Sequence, residues 1–327
     1  MTVAIAILNW NGKNWLEKFL PSVIKYSSEA EVFVIDNAST DDSILYLQSN
    51  YPEVKIIRNP NNSGFAAGYN LGLKSVTADI YCLLNSDVEV TENWILPIRK
   101  LFSQRRDIAA IQPKILDYNQ KNKFEFAGAG GGLIDNLGYP YCRGRIFDDI
   151  ETDHGQYDDE IEIFWASGCS LFIRSEDFWK MNGFDERFFA HQEEIDLCWR
   201  LQNEGRKIYY TGKSQVYHVG GGTLKKENPQ KTYLNFRNNL SMMLKNLPAS
   251  KAFFILFLRL HLDGYAAFYL AYKNGCKFLW AVLKAHVYFY IQLPGSIRLR
   301  QKHQIDPYYQ SKWLMFKHFL GSKKIKQ

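Results

Sequence analysis

The first hundred residues alternate between short apolar runs and segments whose apolar residues recur at helical spacing. Repeated strand–helix–strand units of this kind form a parallel sheet covered by helices. The predicted strands are residues 3–9, 31–35, 54–58 and 80–84, and the predicted helices are residues 15–26, 43–49 and 66–76. The sequence therefore predicts an α/β fold with a Rossmann-like, mostly parallel sheet flanked by helices.

Three of these strands run into polar side chains where they end. The first ends at Asn9, the second is followed by Asp36, and the fourth by Asn85, Ser86 and Asp87. The carboxyl ends of parallel strands meet at one edge of the sheet, and open α/β sheets bind their ligands there. The triplet at 85–87 is therefore either an ordinary loop start or one wall of an active site.

The later part of the chain has a less regular alternation of predicted strands and helices. Residues 118–160 contain several glycines and then an acidic stretch, which indicates a long functional loop or a small insertion. Residues 165–205 predict a strand, a short helix, a loop and a helix over 193–203. Residues 207–210 and 214–219 predict a closing pair of strands.

Asp87 and His218 form a candidate metal site. A strand-end carboxylate and an imidazole from a later strand suit Mg²⁺ or Mn²⁺ held by few protein ligands. The alternative is that Asp87 caps a turn and that His218 is a hydrogen-bonded histidine of the core.

Three carboxylates crowd the first turn of the predicted helix in "HQEEIDLCWR": Glu193, Glu194 and Asp196. A helix N-terminus favours anions, and capping explains one or two of them. Three so close together raise one another's pKa, which makes a carboxylate a competent general base toward an alcohol. The alternative is a solvated N-terminal cap.

The segment "NPNNSGFAAGYNLG" (59–72) combines two glycines with small residues at a helix start. Backbone N–H groups can approach a phosphate closely at such a place. The segment matches neither common nucleotide-binding glycine motif, and close helix–sheet packing explains it equally well.

Read in order, these segments resemble the inverting family 2 glycosyltransferases with the GT-A fold, and above all the rhamnosyltransferase-like branch of bacterial surface-polysaccharide enzymes. The similarity runs over residues 3–223. The motifs that carry it are "ILNWNG", "VIDNASTDDS", "NNSGFAAGYNLG", "LLNSDVEV", "GFDERFFAHQEEIDLCWR" and "VYHVGGGT".

The resemblance implies a role for each matching residue. The pyrimidine base and ribose of a nucleotide sugar would lie against Asn9, Trp10 and Asp36. The next part of that pocket would be formed by Asn62, Gly64, Phe65 and Asn70. Asn85, Ser86 and Asp87 occupy the D-x-D position, and His218 matches the additional metal-binding histidine. Glu193 and Glu194 fall on the catalytic pair, with Glu194 as the base and Asp196 in support. Trp165, Ser167 and Gly168 would edge the acceptor or sugar pocket.

Three positions depart from the family pattern. Asn85 removes one carboxylate of the D-x-D, and Glu194 is one methylene longer than the usual aspartate. Tyr69 stands where many relatives have an arginine near the donor.

The resemblance implies a metal-dependent, inverting sugar transfer with Mg²⁺ or Mn²⁺ as cofactor. The donor would be a dTDP- or UDP-linked sugar, and the acceptor a glycan, free or lipid-linked. Two other classes of protein are weighed against it. A nucleotide-dependent oxidoreductase needs a glycine fingerprint after the first strand, where "LNWNGKNW" has a single glycine. A non-catalytic glycan- or nucleic-acid-binding module would not need Glu194 or His218.

The chain divides by charge into an acidic body and a basic tail. Residues 1–230 carry a net charge of −8, and residues 231–327 a net charge of +14. We expect a glycosyltransferase domain over 1–230 and a basic, aromatic, helical region over 231–327. A polyanionic partner is indicated, and a membrane surface is favoured over nucleic acid.

The tail predicts helices that lie in the headgroup layer, and the alternative is a soluble helical lid or a dimer interface. Phe253, Leu256, Phe257 and Leu260 fall near one face, and Lys251, Arg259 and Lys273 would flank the lipid-facing side. The longest stretch without a charged residue there, 285–297, is 13 residues, which predicts that the tail does not cross the bilayer. Five scattered cysteines and no basic segment before the first apolar run predict a cytoplasmic protein on the inner face of the membrane.

Overall fold

A computed structural model of the protein describes residues 1–220 and 228–319. Residues 221–223, which end the motif "VYHVGGGT", lie outside the described residues. The strands are β1 (Val3–Asn9), β2 (Glu31–Asp36), β3 (Lys55–Arg58), β4 (Ile80–Asn85), β5 (Val88–Val90), β6 (Ile108–Asp117), β7 (Gly132–Ile134), β8 (Pro140–Cys142), β9 (Arg145–Ile146), β10 (Asp149–Ile150), β11 (Glu160–Ile163), β12 (Ser170–Arg174) and β13 (Lys207–His218).

Nine of these strands form one central sheet in the order β11-β13-β6-β12-β4-β1-β2-β3, with β5 paired to β13. The half made of β4, β1, β2 and β3 is entirely parallel, as the strand–helix alternation predicts. β12 enters antiparallel between β4 and β6, and β13 runs parallel to β6. The predicted α/β fold is therefore confirmed, with a mixed outer half.

Helices cover both faces of this sheet. They are α1 (Lys13–Tyr26), α2 (Ser43–Asn50), α3 (Gly64–Leu73), α4 (Leu96–Gln104), α5 (Ser175–Lys180), α6 (Glu193–Asn203), α7 (Pro229–Asn246), α8 (Ala249–Asn274), α9 (Cys276–Arg298) and α10 (Leu314–Phe319). Side chains alternate along the strands, so that Ile5 belongs to the core under α1 and α4, and Ala6 to the core under α3 and α6.

Residues 118–160 agree with the second of the two expectations, a small insertion, since β7 to β10 form a separate four-stranded antiparallel sheet. The predicted pair of closing strands at 207–210 and 214–219 is wrong: the segment is one strand, β13. Its register against β6 shifts between Thr211 and Gln215, so a bulge replaces the expected turn.

The C-terminal helices share a core with the sheet domain. Met243 of α7 and Ile255 of α8 belong to the same hydrophobic cluster as Leu83 and Trp199. The boundary expected at 230/231 falls within the first turn of α7. Within the described residues, one helix, α8, is long and apolar enough to cross a membrane by length and composition.

Candidate active site

The adjoining ends of β1 and β2 bring three predicted side chains together. Asn9 pairs with Asp36 in the strand register, and its amide nitrogen donates to the Asp36 carboxylate at 3.2 Å. The other Asp36 oxygen accepts from the Ser39 backbone N–H at 3.1 Å. Asp36 is 3% exposed, whereas the Trp10 side chain is 49% exposed. This edge of the sheet therefore offers a fixed carboxylate beside an open aromatic ring.

The carbonyl oxygen of the Asn9 side chain is buried and accepts no hydrogen bond from the described residues. A Cβ at Gly12 would lie only 2.5 Å from this oxygen and 3.7 Å from the Ser86 hydroxyl. Glycine at position 12 thus keeps open a small polar recess between the ends of β1 and β4. A buried acceptor without a partner is costly unless a ligand or water satisfies it.

A chain of amides that the sequence reasoning missed supports the start of α3. Asn59 donates to the Asn37 side-chain oxygen at 3.0 Å, and Asn37 donates to the Asn62 side-chain oxygen at 2.9 Å. The same Asn62 oxygen accepts from the Gly64 backbone N–H at 3.0 Å. Asn62 therefore fixes the backbone at Gly64.

Asp87 and His218 meet as predicted. The antiparallel pairing of β5 with β13 places His218 opposite Val88, and the His218 Nε2 lies 3.2 Å from the Asp87 Oδ1. On the other side of the ring, the Nδ1 lies 3.5 Å from the Glu125 Oε1. All three side chains are buried. Glu125 was not predicted, because it belongs to no motif and reaches the site from the segment after β6.

The charge of His218 depends on these neighbours. Burial disfavours the imidazolium, whereas Cys169 and the carboxylates on either side of the ring favour it, so the pKa of His218 is raised well above its ordinary value. The Asn85 amide nitrogen lies 3.4 Å from the same Nε2. Asn85, Asp87 and His218 thus converge on one point.

The described residues do not bring together three or more His, Cys, Asp or Glu side chains that could hold a metal ion by themselves. The Asp87 carboxylate is a hard oxygen donor that suits Mg²⁺ or Mn²⁺, and the His218 Nε2 is a borderline nitrogen donor that can join it when the imidazole gives up its proton to the metal. Glu125 at Nδ1 would orient the ring, as outer partners of metal-bound histidines do. The residues present fit a cation whose other ligands come from substrate and water.

Glu193 and Glu194 open α6. Glu193 is 4% exposed and Glu194 is partly buried. Burial raises the pKa of Glu194 to about 7, although backbone N–H groups of the first turn oppose the rise. Burial, and then the charge of Glu194, raise the pKa of Glu193 well above its ordinary value. One oxygen of each accepts no hydrogen bond from the described residues. The pair is therefore able to exchange protons near neutral pH.

The loop before these glutamates is strained. Phe189, His191 and Gln192 all have left-handed backbone angles, with φ of 65°, 72° and 72°. Residues other than glycine rarely adopt this backbone conformation. Residues strained in this way cluster at functional sites, where the surrounding structure enforces the conformation. The loop is therefore held in place from outside.

Helix α7 supplies much of that constraint. The Asn238 amide nitrogen donates to three loop carbonyls, those of Phe188, Ala190 and His191, at 2.7–3.0 Å. The Arg237 guanidinium donates to the Phe188 carbonyl at 2.8 Å. We call residues 188–192 the base loop, because they lead to the predicted base Glu194. The C-terminal helical region clamps this loop, a contact that sequence spacing did not indicate.

The start of α3 contacts the same loop. Gly64 has a φ of 85°, and a Cβ there would lie 2.5 Å from the Phe189 ring and 2.6 Å from its carbonyl oxygen. The Phe65 backbone N–H donates to that oxygen at 2.7 Å. A Cβ at Gly168 would touch the Phe65 ring at 3.4 Å and the Glu194 Cβ at 3.8 Å. Gly64 and Phe65 therefore contact the loop before Glu193, and Gly168 lies beside Glu194.

The segment before β12 links the two halves of the site. The Asn85 backbone N–H donates to the Cys169 carbonyl at 3.0 Å, one residue from Gly168. The predicted neighbours Trp165 and Ser167 are buried and support this segment from behind. Trp165 donates to the Leu133 carbonyl at 2.9 Å, and the Ser167 hydroxyl donates to a backbone carbonyl.

Asp196 lies away from the open part of the site. It is 0% exposed, and its carboxylate accepts from Arg200 at 2.8 Å, Lys245 at 2.9 Å and Asn246 at 3.0 Å. These bonds tie α6 to α7. Asp196 acts on Glu193 at a distance, because its charge contributes to the raised pKa of Glu193.

Asn70 and Tyr69 also lie behind the site. The Asn70 amide pairs with the backbone of Phe184 through two hydrogen bonds of 2.9 Å, which supports the approach to the base loop. The Tyr69 hydroxyl donates to the carbonyls of Ala6 and Leu84 from a fully buried position. Tyr69 therefore braces β1 against β4 and does not stand in for an arginine at the donor.

The model of the family described as Glycosyl transferase family 2 matches residues 3–174, more than half of the chain. The protein therefore belongs to glycosyl transferase family 2 and is of the rhamnosyltransferase-like type. The resemblance read from the motifs is confirmed. The protein is a glycosyltransferase whose relatives take part in glycan and cell-wall polysaccharide synthesis.

Two relatives illustrate the similarity. The low-salt glycan biosynthesis hexosyltransferase Agl10 of Haloferax volcanii is 24% identical over 247 residues, which cover 72% of this chain and 73% of the relative. The N-acetylglucosaminyl-diphospho-decaprenol L-rhamnosyltransferase of Mycobacterium tuberculosis is 26% identical over 220 residues, covering 62% and 71%.

A crystal structure of GalNAc-T7 with UDP, GalNAc and Mn²⁺ has a similar fold, with a TM-score of 0.54 at 20% sequence identity. The match covers 66% of this chain but spans only 43% of that protein. The likeness supports the GT-A assignment of the sheet domain, and the predicted fold class is confirmed.

Proposed function

We propose that this protein is an inverting, metal-dependent hexosyltransferase, with rhamnose a candidate sugar, that acts in cell-surface polysaccharide synthesis. The observation that carries the proposal is Glu194, a partly buried carboxyl group with a pKa of about 7 that lies beside Gly168. The next residue, Cys169, accepts a hydrogen bond from the Asn85 backbone, two residues before Asp87. A base whose pKa lies near the working pH is the most effective one for removing a proton from an alcohol.

In the proposed reaction, the Glu194 carboxylate accepts the proton of an acceptor hydroxyl. The hydroxyl oxygen forms a bond to the anomeric carbon of the donor as the bond from that carbon to the diphosphate oxygen breaks. The electron pair of the broken bond leaves with the nucleoside diphosphate. A single displacement of this kind inverts the anomeric configuration. Asn238 holds the loop that leads to Glu194 in place.

We assign Asp87 and His218 as the protein ligands of a Mg²⁺ or Mn²⁺ ion. The fit rests on the donor pair 3.2 Å apart and on Glu125 behind the imidazole. When bound, the cation neutralises charge on the departing diphosphate. The Mn²⁺ and UDP in the related crystal structure are consistent with this assignment.

The donor is proposed to be a UDP- or dTDP-linked sugar whose base and ribose lie against Asn9, Trp10 and Asp36. The open acceptor oxygen of Asn9 and the recess at Gly12 support a polar ligand there. The acceptor is proposed to be a glycan on a lipid carrier. The name of the mycobacterial relative, which acts on a diphospho-decaprenol, motivates that choice.

A turnover assay tests the proposal. The purified protein would be incubated with a panel of UDP-, dTDP- and GDP-linked sugars, with Mn²⁺ or with chelator, and the released nucleoside diphosphate would be measured. The expected result is cation-dependent release from a uridine or thymidine donor that is lost in Glu194→Gln. Binding of glycan or nucleic acid without any release would instead support a non-catalytic module.

A further inference from the structure

The outward surface of the α8–α9 hairpin is unusually apolar. Within the described ranges, 23 large hydrophobic side chains are exposed, and 13 of them lie on these two helices. They are Phe253, Phe254, Phe257, Tyr265, Phe268, Tyr269, Tyr272, Trp280, Leu283, Val287, Tyr290, Ile291 and Ile297. Contiguous exposed apolar surface on a soluble domain marks an interaction site. We call this set the hairpin face.

The hairpin face lies opposite the surface that packs on the protein. At 100° per residue, the exposed aromatics of α8 occupy one side of the helix, and the buried residues, such as Ile255 and Ala267, occupy the other. The sequence expectation was wrong for Leu256 and Arg259, which are buried rather than near the lipid. Lys251 pairs with Asp306 at 2.6 Å.

The charge of this surface has a single sign. Across residues 249–298, all of which the structure describes, the only acidic residue is Asp263, which is buried and lies 3.4 Å from Arg259. The exposed cations are Lys273, Lys277, Lys284 and Arg298. Lys273 and Lys277 flank the turn between the helices, close to Tyr272, which is 94% exposed.

We propose that the hairpin face docks on an anionic lipid bilayer and lies in its headgroup layer. Aromatic rings favour that layer, and cations without neighbouring carboxylates are attracted to anionic lipid. A second copy of the chain is a poorer occupant, because two such surfaces would bring like charges together.

The packing of α8 argues for lying on the bilayer rather than crossing it. Arg259 donates to the carbonyl of Leu137, which lies in the connection between β7 and β8. The Arg259 guanidinium also lies 3.7 Å from the centre of the Tyr139 ring. A spanning α8 would have to leave these contacts and carry Arg259 and Asp263 into hydrocarbon, which is costly.

The hairpin is one helix away from the base loop. Ala281 and Ala285 of α9 pack against Tyr233 and Leu234 of α7, and α7 carries the Asn238 clamp. A bilayer bound to the hairpin face would therefore be connected to the base loop through the packed helices α9 and α7. The docking surface itself does not depend on the sugar chemistry, so its test needs no substrate.

Vesicle flotation of the full-length protein tests the proposal. Binding would be measured with vesicles of phosphatidylcholine alone and with added phosphatidylglycerol, at low and high salt. Three variants would be compared: Lys273→Gln with Lys277→Gln, Phe268→Ser with Tyr272→Ser and Trp280→Ser, and a control, Leu45→Ser with Leu96→Ser. The control residues are exposed apolar side chains outside the hairpin. Thermal unfolding checks that each variant is folded.

The wild type is expected to float with anionic vesicles and to lose binding in high salt. Replacing Lys273 and Lys277 should lower the partition coefficient of the protein between anionic vesicles and solution roughly 30-fold, which equals about 2 kcal/mol. The aromatic variant should lose binding, and the control should retain it. Wild-type protein that ignores anionic vesicles overturns the proposal, as does concentration-dependent dimerisation abolished by the aromatic variant. Protein that needs detergent for release and resists alkaline carbonate would show a spanning helix, which also overturns it.

Discussion

Replacing Glu194 with glutamine should make the protein less active and more stable at the same time. Folding raises the pKa of this carboxyl from 4.5 to about 7 because the group is buried. The folded state therefore holds the proton more tightly than the unfolded state, and stability falls as the pH rises through this window. The neutral amide removes that cost.

The size of the effect follows from the shift. A rise of about 2.5 pKa units corresponds to about 3 kcal/mol of unfolding free energy at pH 8, and to about 1 kcal/mol at pH 5. Urea unfolding of wild type and Glu194→Gln at both pH values measures it. Glu204→Gln is a matched control, since Glu204 is exposed at the other end of α6.

The kinetic half of the prediction has the same origin. Loss of the base should lower turnover about 10²–10⁴-fold, while donor binding stays within a few-fold. In the wild type, kcat/KM should rise roughly tenfold per pH unit below pH 7 and level off above it. Near-wild-type turnover by Glu194→Gln, or a variant that is less stable than the wild type at pH 8, would refute the reasoning.

Three further predictions concern the surroundings of the base. Chelator should stop turnover, and Asp87→Asn should raise the Mn²⁺ concentration needed for half-maximal rate; unchanged metal dependence would contradict the assignment. Asn238→Ala should lower kcat with little change in donor affinity, because the Ala190 and His191 carbonyls lose their side-chain donor and the Phe188 carbonyl keeps only one side-chain donor, Arg237. Asn235→Ala, on the same helix, is the control, and equal effects of the two would show a general loss of packing. Gly64→Ala should lower the free energy of unfolding by about 1–3 kcal/mol, since the new methyl group meets Phe189 and the φ of 85° is unfavourable; a stability equal to that of the wild type would contradict the contact.

The strands and their polar ends were predictable because they depend on local patterns. Apolar runs of strand length and helical spacing are local signals, and the parallel register then places Asn9 beside Asp36. The pairing of Asp87 with His218 followed from motif order alone. In contrast, β13 was read as two strands because Gly212 and Lys213 look like a turn, whereas the sheet absorbs them in a bulge.

What the sequence did not indicate depends on contacts between distant residues. Glu125 meets His218 across 93 positions of chain, and no spacing rule selects it. Asp196 looked like part of an acidic cluster, but Lys245 approaches from α7 and neutralises it. Asn238 lies in a region that was read only as a membrane tail. The roles of these residues can be recognised only when the packing of the helices against the sheet is known.

The stereochemistry of transfer tests the central claim most directly. With one base and one displacement, the glycosidic bond formed should have the anomeric configuration opposite to that of the donor. NMR of the product, recorded from the first turnovers, gives the anomeric configuration from the one-bond coupling between C1 and H1, which distinguishes the anomers of rhamnose as well as those of other hexoses. An inverted product is the predicted result, and a retained configuration would contradict the mechanism assigned to Glu194.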